Sequence, residues 1–503
     1  MPEFVDDTRR QVVPRWWDVR TAASLGQLDA ATPLRDAAPL VPTVGEVEGL
    51  LERWRRHPSR FHAAELVDAA LALERPHVAE DAAIWIVENG GVSSVSERLA
   101  RKVLGDVDQA EPCAVPTSVG RHQRVSGFRH RLRQHPRNPV LWVELAREYS
   151  ALGEVAAARK ALLIAIALAP NSRHVLRSAS RFFLHAHQPD VARDILLGSS
   201  AVASDPWLMS AEIVSADAAG TTSRLLKRGR TLVESGRLHP RHTSELASAI
   251  GTLEHAAGNR KHVRRLFAHA LADPTENSLA QAGWIERHMS GFAVPGESFD
   301  VPRAFEAHAW EAVQRGAHSD AVSRALDWAL DEPFATRPVL FASWVTSMAL
   351  GDFQTAADMA EAARVANPGD PRLVAQLLYC KASVGQLESA RALLPELERL
   401  ALAPQAKGRP EEWEAVIEAD RGLLAFRSGD VGSGRAHYQN AIEVASRRGL
   451  KQTAATALVN FAREEAVATG FWMDDDLLQA AVAVFPTSTR SVIEEFVARI
   501  PRQ

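Results

Sequence analysis

The 503-residue sequence predicts an all-α fold, a solenoid of about ten stacked helical hairpins. Three observations predict it. Prolines recur at even spacing: Pro206, Pro240 and Pro274 are 34 residues apart, and Pro333 and Pro368 are 35 apart. Read as helix stops, they mark a repeating unit. Apolar and small residues follow a 3.6-residue period along most of the chain, and no alternating β-branched run is long enough for a sheet. Alanine is abundant; it is the best helix former, and its small side chain lets helices approach closely. A length of 503 would ordinarily suggest roughly three domains. In a quasi-linear array each repeat mainly contacts its neighbours, so length counts repeats instead.

The clearest unit starts at Pro139. Counting it as position 1, Trp142, Leu145, Ala146 and Tyr149 fall at positions 4, 7, 8 and 11, one face of a first helix. Gly153 at 15 permits a tight turn, Ala158, Leu162 and Ala165 at 20, 24 and 27 face back from a second helix, and Pro170 stands at 32. This pattern resembles the tetratricopeptide repeat. It recurs from Arg173 (with His187 in place of the turn glycine), Pro302, Arg337 and Pro371, and over Ala415 to Arg448. Residues 207–240 and 241–274 keep the length with degenerate signatures. The resemblance covers roughly residues 137–450 and implies a right-handed α-α superhelix, a tetratricopeptide solenoid.

Residues 1–44 fall outside the array and are expected to form an arm or cap; the cap over the first helical pair is favoured, because a solenoid end needs shielding. Their cluster Arg15-Trp16-Trp17-Asp18-Val19-Arg20 has the composition of an interaction hot spot, so Trp16 and Trp17 are also candidate docking residues. Helical hairpins are expected over 45–104, a linker over 105–120, a basic array over 121–289, a break at 290–301, an aromatic-groove array over 302–449 and capping helices over 450–503. A second break is expected near 403–410.

Composition narrows the function class. The start of the chain lacks a basic head followed by an apolar core, and no window reaches the ~18 apolar residues of a spanning helix. The longest apolar run, Ala161 to Pro170, reads as a buried helix. The expectation is a cytoplasmic protein without membrane attachment, with Cys113 and Cys380 reduced. Arginine outnumbers lysine 51 to 7, an association with GC-rich bacterial genomes. Phosphate-loop, dinucleotide, HExxH and GxSxG motifs are missing. His262 and His269 lie two turns apart, about 10 Å, too far to share a metal. Asp474-Asp475-Asp476 suits a helix start, where carboxylates meet the positive end of the dipole. The reading is not an enzyme, with no metal and no cofactor.

The net charge of −4 hides an asymmetry: residues 121–270 hold 23 basic and 11 acidic residues, a balance of +12, which leaves −16 for the rest. The stretch opens with Arg121, Arg124, Arg129, Arg131, Arg133 and Arg137, a candidate basic patch. In the tetratricopeptide family, positions 2, 5, 9 and 12 of the first helix line the concave groove. Carried over where the register is clear, they include Arg147, Arg177 and Arg181 in the first half, and Trp310, Phe341, Met348, Tyr379 and Phe426 in the second. The family's chaperone clamp places Lys and Asn at positions 5 and 9; Val143 and Arg147 stand there instead. The expectation is a non-catalytic scaffold or regulatory subunit, in the context of a bacterial effector, whose groove binds a protein or peptide that is acidic and part-apolar. Basic residues would steer it and aromatic ones anchor it. The alternative is a nucleic-acid-binding or signal-sensing regulator that uses the basic 121–270 region.

Overall fold

The computed structural model describes residues 10–16, 44–72, 75–89, 94–105, 118–301, 303–403, 410–472 and 474–501. Among them are 25 α-helices, most of which follow one another in hairpin pairs. The N-terminal group is α1 (Val44–Arg56), α2 (Arg60–Ala72), α3 (Glu80–Asn89) and α4 (Ser94–Val103), packed around Leu66, Val67, Ala82 and Ile86. The basic helix α5 (Ser118–Gln134) leads into the array. Its first pairs are α6 (Pro139–Ala151) with α7 (Val155–Leu168), α8 (Arg173–His185) with α9 (Pro189–Leu197), α10 (Pro206–Ala218) with α11 (Leu226–Glu234), and α12 (Pro240–Ala256) with α13 (Arg260–Ala270). After α14 (Glu276–His288) come α15 (Phe305–Gln314) with α16 (His318–Asp331), α17 (Thr336–Val345) with α18 (Phe353–Arg364), and α19 (Pro371–Ser383) with α20 (Leu387–Ala401). The chain ends in α21 (Pro410–Arg427), α22 (Val431–Arg447), α23 (Lys451–Thr469), α24 (Asp475–Val484) and α25 (Thr487–Ala498).

The repeat period is present, but several of its prolines act as helix starts. Pro139, Pro206, Pro240 and Pro371 each occupy the first turn of a helix. There the missing N–H has no helical partner to lose, and the fixed φ suits the helix. The residue before caps the new helix: Asn138, Asp205 and Asp370 accept backbone N–H groups of the first turn. Thr275 and Ser278 form a reciprocal capping box on α14. Asp474 caps α24 through Leu477 N, as expected of a helix start.

First and second helices differ in burial. In α6 every residue but Trp142 is buried, including Glu144, Arg147 and Glu148. Helix α19 is buried except at Lys381 and Ser383. The second helices bury one stripe; α7 hides Ala158, Ala161, Leu162 and Ala165 and leaves Leu163 47% exposed. The run at 161–170 is therefore an amphipathic outer helix, where the sequence suggested a buried one. An open solenoid would leave a concave face of each first helix in water. Here that face is covered, so the bore of the superhelix is filled.

The winding itself closes part of the bore. Arg147 of α6 donates to the carbonyls of Leu330 (3.2 Å) and Asp331 (2.5 Å) at the end of α16. The α6–α7 turn meets the end of α18: Gly153 has φ +72°, and a Cβ there would collide with the Val365 carbonyl oxygen. Gly153→Ala is expected to lose more than the ~1 kcal/mol of a left-handed alanine, about 2–3 kcal/mol in all, because backbone cannot yield as a side-chain tip can. Urea denaturation would read the loss. A cost below ~1 kcal/mol would mean the two turns of the superhelix do not touch at this point.

Candidate functional site in the superhelical bore

Residues 10–16, Arg-Gln-Val-Val-Pro-Arg-Trp, lie in the bore as a non-helical strap. A cap would have placed them on α1 and α2; their contacts fall on α10, α12, α14, α15, α16 and the α16–α17 turn. Three kinds of contact hold them. Two carboxylates take the arginines: Arg10 makes a bidentate pair with Glu306 (2.9 and 2.8 Å), and Arg15 bridges Glu306 (2.6 Å) and Glu332 (2.7 Å). Amide side chains read the strap backbone: Asn277 Nδ2 donates to Val13 O (2.9 Å) and Gln281 Nε2 to Arg10 O (3.2 Å). Apolar surface takes the rest. Val12 packs with Ile213, Val214 and Ala249, and the fully buried Trp16 meets Phe334 at 5.3 Å between ring centroids.

Such a charge cluster survives burial because each charge has a partner. Glu306 faces Arg10, Arg15 and Arg337, and Glu332 faces Arg15 and Arg181. Burial alone would raise both carboxyls. The guanidiniums outweigh it, holding Glu306 well below the carboxylate range and Glu332 down to about 2. Trp328 Nε1 also donates to Glu332 (3.0 Å). Arg10 is lowered by its burial, against the pull of Glu306.

The first-half arginines chosen from the sequence have internal partners. Arg177 is 1% exposed and pairs with Glu245 at 2.8 Å; Arg181 pairs with Glu332 at 3.2 Å; Arg147 caps carbonyls as above. They do not present an open basic groove. The reason is that Glu245 of α12 and the end of α16, with Glu332 and two free carbonyls, face the same space, and burial forces pairing. In the basic patch, Arg121 is buried against Glu148, and burial lowers it to about 10. Arg124, Arg129, Arg131, Arg133 and Arg137 remain exposed. Arg124 reaches Glu148 (3.2 Å), Arg129 donates to Tyr149 Oη (2.7 Å), and Arg131 lies over the Phe128 ring.

The second-half aromatics are likewise no open apolar groove. Trp310, Phe341, Met348, Tyr379 and Phe426 all join one core cluster, with Trp310 and Phe341 edge to face at 4.8 Å. Phe426 packs on Gly434 and Tyr438 between α21 and α22. The same cluster includes Val492, Ile493, Phe496 and Val497 of α25, which folds back along α15 and the 346–350 turn. Ser491 Oγ donates to Val313 O (2.8 Å) and Arg499 to Met348 O and Ala349 O. The C-terminal helix thus covers apolar surface that the repeat register assigns to the groove. Trp17 lies outside the described residues, as do Cys113 and the 404–409 stretch.

One stretch of the bore stays partly open. A cavity of about 50 Å³ is lined by Met348, Gln376 and Tyr379 on one side and by Ala419, Asp420, Thr456 and Asn460 on the other. Two of the sequence candidates, Met348 and Tyr379, stand in its wall. Sequence reasoning missed Glu306, Glu332, Gln281 and Asp420. For Glu306, Gln281 and Asp420 the one available signal was a charged or amide residue inside a helix of small and apolar neighbours; Glu332 caps the end of α16 and gave none.

Among the described residues no helix is long and apolar enough to cross a membrane, and no group of three or more His, Cys, Asp or Glu could hold a metal ion. No family model and no curated protein sequence matches the chain. Solved structures similar to it include the APC/C hetero-tetramer Cut9–Hcn1 (12% identity, 87% of this chain and 92% of that one, TM-score 0.35). Yeast Tom70 is similar at 10% identity, over 90% and 95% of the two chains, with TM-score 0.32. A human IFIT1 dimer with PPP-AAAA is similar at 12% identity, over 92% and 95%, with TM-score 0.31. On its own repeat geometry the protein is a tetratricopeptide-like α-α solenoid whose bore is largely filled by its own chain.

Proposed function

We propose that the protein is a non-catalytic scaffold or regulatory subunit that captures an extended segment of a partner in the bore now taken by residues 10–16. One observation supports this above the rest: a non-helical peptide with one tight turn at Val12 already sits there, with its arginines on Glu306 and Glu332, its backbone read by Asn277 and Gln281, and its tryptophan on Phe334. Backbone reading gives affinity for any extended segment, and the two carboxylates and the aromatic pocket give specificity. The partner segment suited to the bore is basic with an aromatic anchor, opposite in sign to the acidic partner the sequence suggested. The exposed arginines of α5 remain the surface that suits an acidic partner. A role beside an effector enzyme fits a bore that is closed in cis and opened by exchange.

The test uses a chain lacking residues 1–16 and the synthetic peptide RQVVPRW carrying a fluorophore. Fluorescence anisotropy is expected to show saturable binding to the truncated chain. Binding to the full chain should be at least tenfold weaker, because the tethered strap competes at high effective concentration. A peptide with both arginines changed to alanine should lose most of the affinity. Equal binding of the two peptides would remove the bore from the function.

A further inference from the structure

The partly open cavity between α19, α21 and α23 is separate from the strap site, and its chemistry is unusual for a core. Its wall is mainly apolar: Ala415, Val416, Ala419 and Ala457, with Met348 and the rings of Tyr379 and Tyr438. Into it come three buried polar atoms that have no hydrogen-bond partner, Asp420 Oδ2, Thr456 Oγ1 and Asn460 Oδ1. Asp420 is 5% exposed and comes from α21. Thr456 and Asn460 lie one turn apart on the facing helix α23, so they share a side. Asn460 Nδ2 is tied to Thr456 O (2.9 Å), which leaves its carbonyl oxygen as the free end. Buried polar groups are nearly always satisfied, and three orphans around one cavity call for an occupant. All three can accept a hydrogen bond, and one carries a carboxyl, so the missing partner is donor-rich and cationic.

We infer that this cavity binds a primary ammonium on a short apolar stem, its three N–H groups donated to Asp420, Thr456 and Asn460 and its stem lying along Val416, Ala457 and Tyr438. The volume suits the ammonium and its first carbons, with the rest of the stem leaving through the open side. An ammonium matches the count of acceptors, where a guanidinium is planar and wider and a quaternary amine has no donors. The source is either a free alkylamine or the lysine of a polypeptide, which share this chemistry. The site does not depend on the strap reading.

The protonation state of Asp420 makes the binding pH-dependent. Burial pushes its carboxyl up to about 8, so near neutrality it is mostly protonated and gives its proton to solvent when an ammonium enters. The N-terminal ammonium pulls the Asp420 carboxyl down against its burial, and the other titratable groups of the cavity wall are the Tyr379 and Tyr438 phenols, both pushed up by burial. Behind them on α23 lie Arg463, whose Nη1 donates to Tyr379 Oη (3.2 Å), and Glu464, paired with Arg427 at 2.6 Å. Arg463 is raised by Tyr379 and Glu464 against its own burial, so it stays charged.

The experiment is isothermal titration with n-butylammonium chloride, with tetramethylammonium and 1-butanol as controls. Butylammonium is expected to bind, roughly fivefold more tightly at pH 8 than at pH 7, and at least tenfold more weakly to Asp420→Asn. Thr456→Val, which keeps the carboxyl, should lose about threefold. A second arm uses Nα-acetyl-lysine methylamide. Tighter binding than butylammonium assigns the site to a lysine side chain, and weaker binding to a free amine. Equal binding of tetramethylammonium, or an unchanged affinity in Asp420→Asn, would overturn the inference and leave ordered water as the occupant. Failure here leaves the RQVVPRW result standing, and the reverse holds as well.

Discussion

Replacing Glu306 with glutamine is expected to destabilise the protein by about 3–5 kcal/mol, the usual cost of removing one partner from a buried ion pair. The substitution keeps the volume and removes the one charge that Arg10, Arg15 and Arg337 share. Three guanidiniums would then face one another without the carboxylate they share, and Arg15 would keep Glu332, Asp331 and Glu276 as its acidic neighbours. Urea denaturation of wild type, Glu306→Gln, Arg10→Ala and the double variant checks this as a cycle. The double variant should cost less than the sum, since removing Arg10 relieves part of the uncompensated charge. Additive losses would show that the strap and Glu306 do not interact in solution. Acid should give the same result without mutation. Glu306 and Glu332 have folded pKa values held below their unfolded ones, so their contribution is fully present above about 4.5 and is lost as pH falls toward about 2. Release of the strap is expected in that window. Trp16 fluorescence would then red-shift before the helical signal is lost.

Asp420 is expected to act in the opposite direction. Its folded pKa is raised from 3.8 to about 8, so between those values the unfolded chain ionises and the native state does not. Stability contributed by this group is therefore whole below pH ~4 and falls as pH rises to ~8, by at most about 1.4 kcal/mol per unit. The total, about 6 kcal/mol, is an upper bound, since water entering the cavity would let the carboxylate form more cheaply. Asp420→Asn removes the titration and keeps the shape. Thermal unfolding of the variant should show a flatter dependence between pH 5 and 8 and a higher midpoint than wild type at pH 8. Parallel profiles for the two proteins would mean that Asp420 is ionised and solvated throughout.

The residues that made the fold legible act locally. The Gly153 turn, the Ala158–Ala165 contact stripe and the 34-residue spacing of Pro206, Pro240 and Pro274 each constrain a few neighbouring residues, and a hairpin folds on such short-range terms. Even the misreading of those prolines was local. Proline ends one helix and starts the next with the same φ, so its spacing carries the period without saying which side is helical. His187 shows the same limit: it takes the turn position with φ +56°, where glycine was expected, because tertiary packing can hold a strained residue.

What filled the bore was beyond any local pattern. Arg10 and Glu306 are 296 residues apart, and Arg15 and Glu332 are 317 apart. Position within a repeat gives the expectation of which residues face inward, and Arg147, Arg177, Arg181, Trp310, Phe341, Met348, Tyr379 and Phe426 are the ones it names. It could not tell what they face. That depends on how tightly the superhelix winds and on where the two chain ends go, and both follow from summed packing over the whole array. The sequence by itself determined the helical repeat and its period. The tertiary structure decided that the arginines are paired, that the aromatics are packed into one core cluster which α25 joins, that the chain's own residues 10–16 occupy the bore, and that Asp420 is left facing a cavity. The physical reason is that repeats are specified by near neighbours, whereas a buried charge must find its partner wherever the fold brings one.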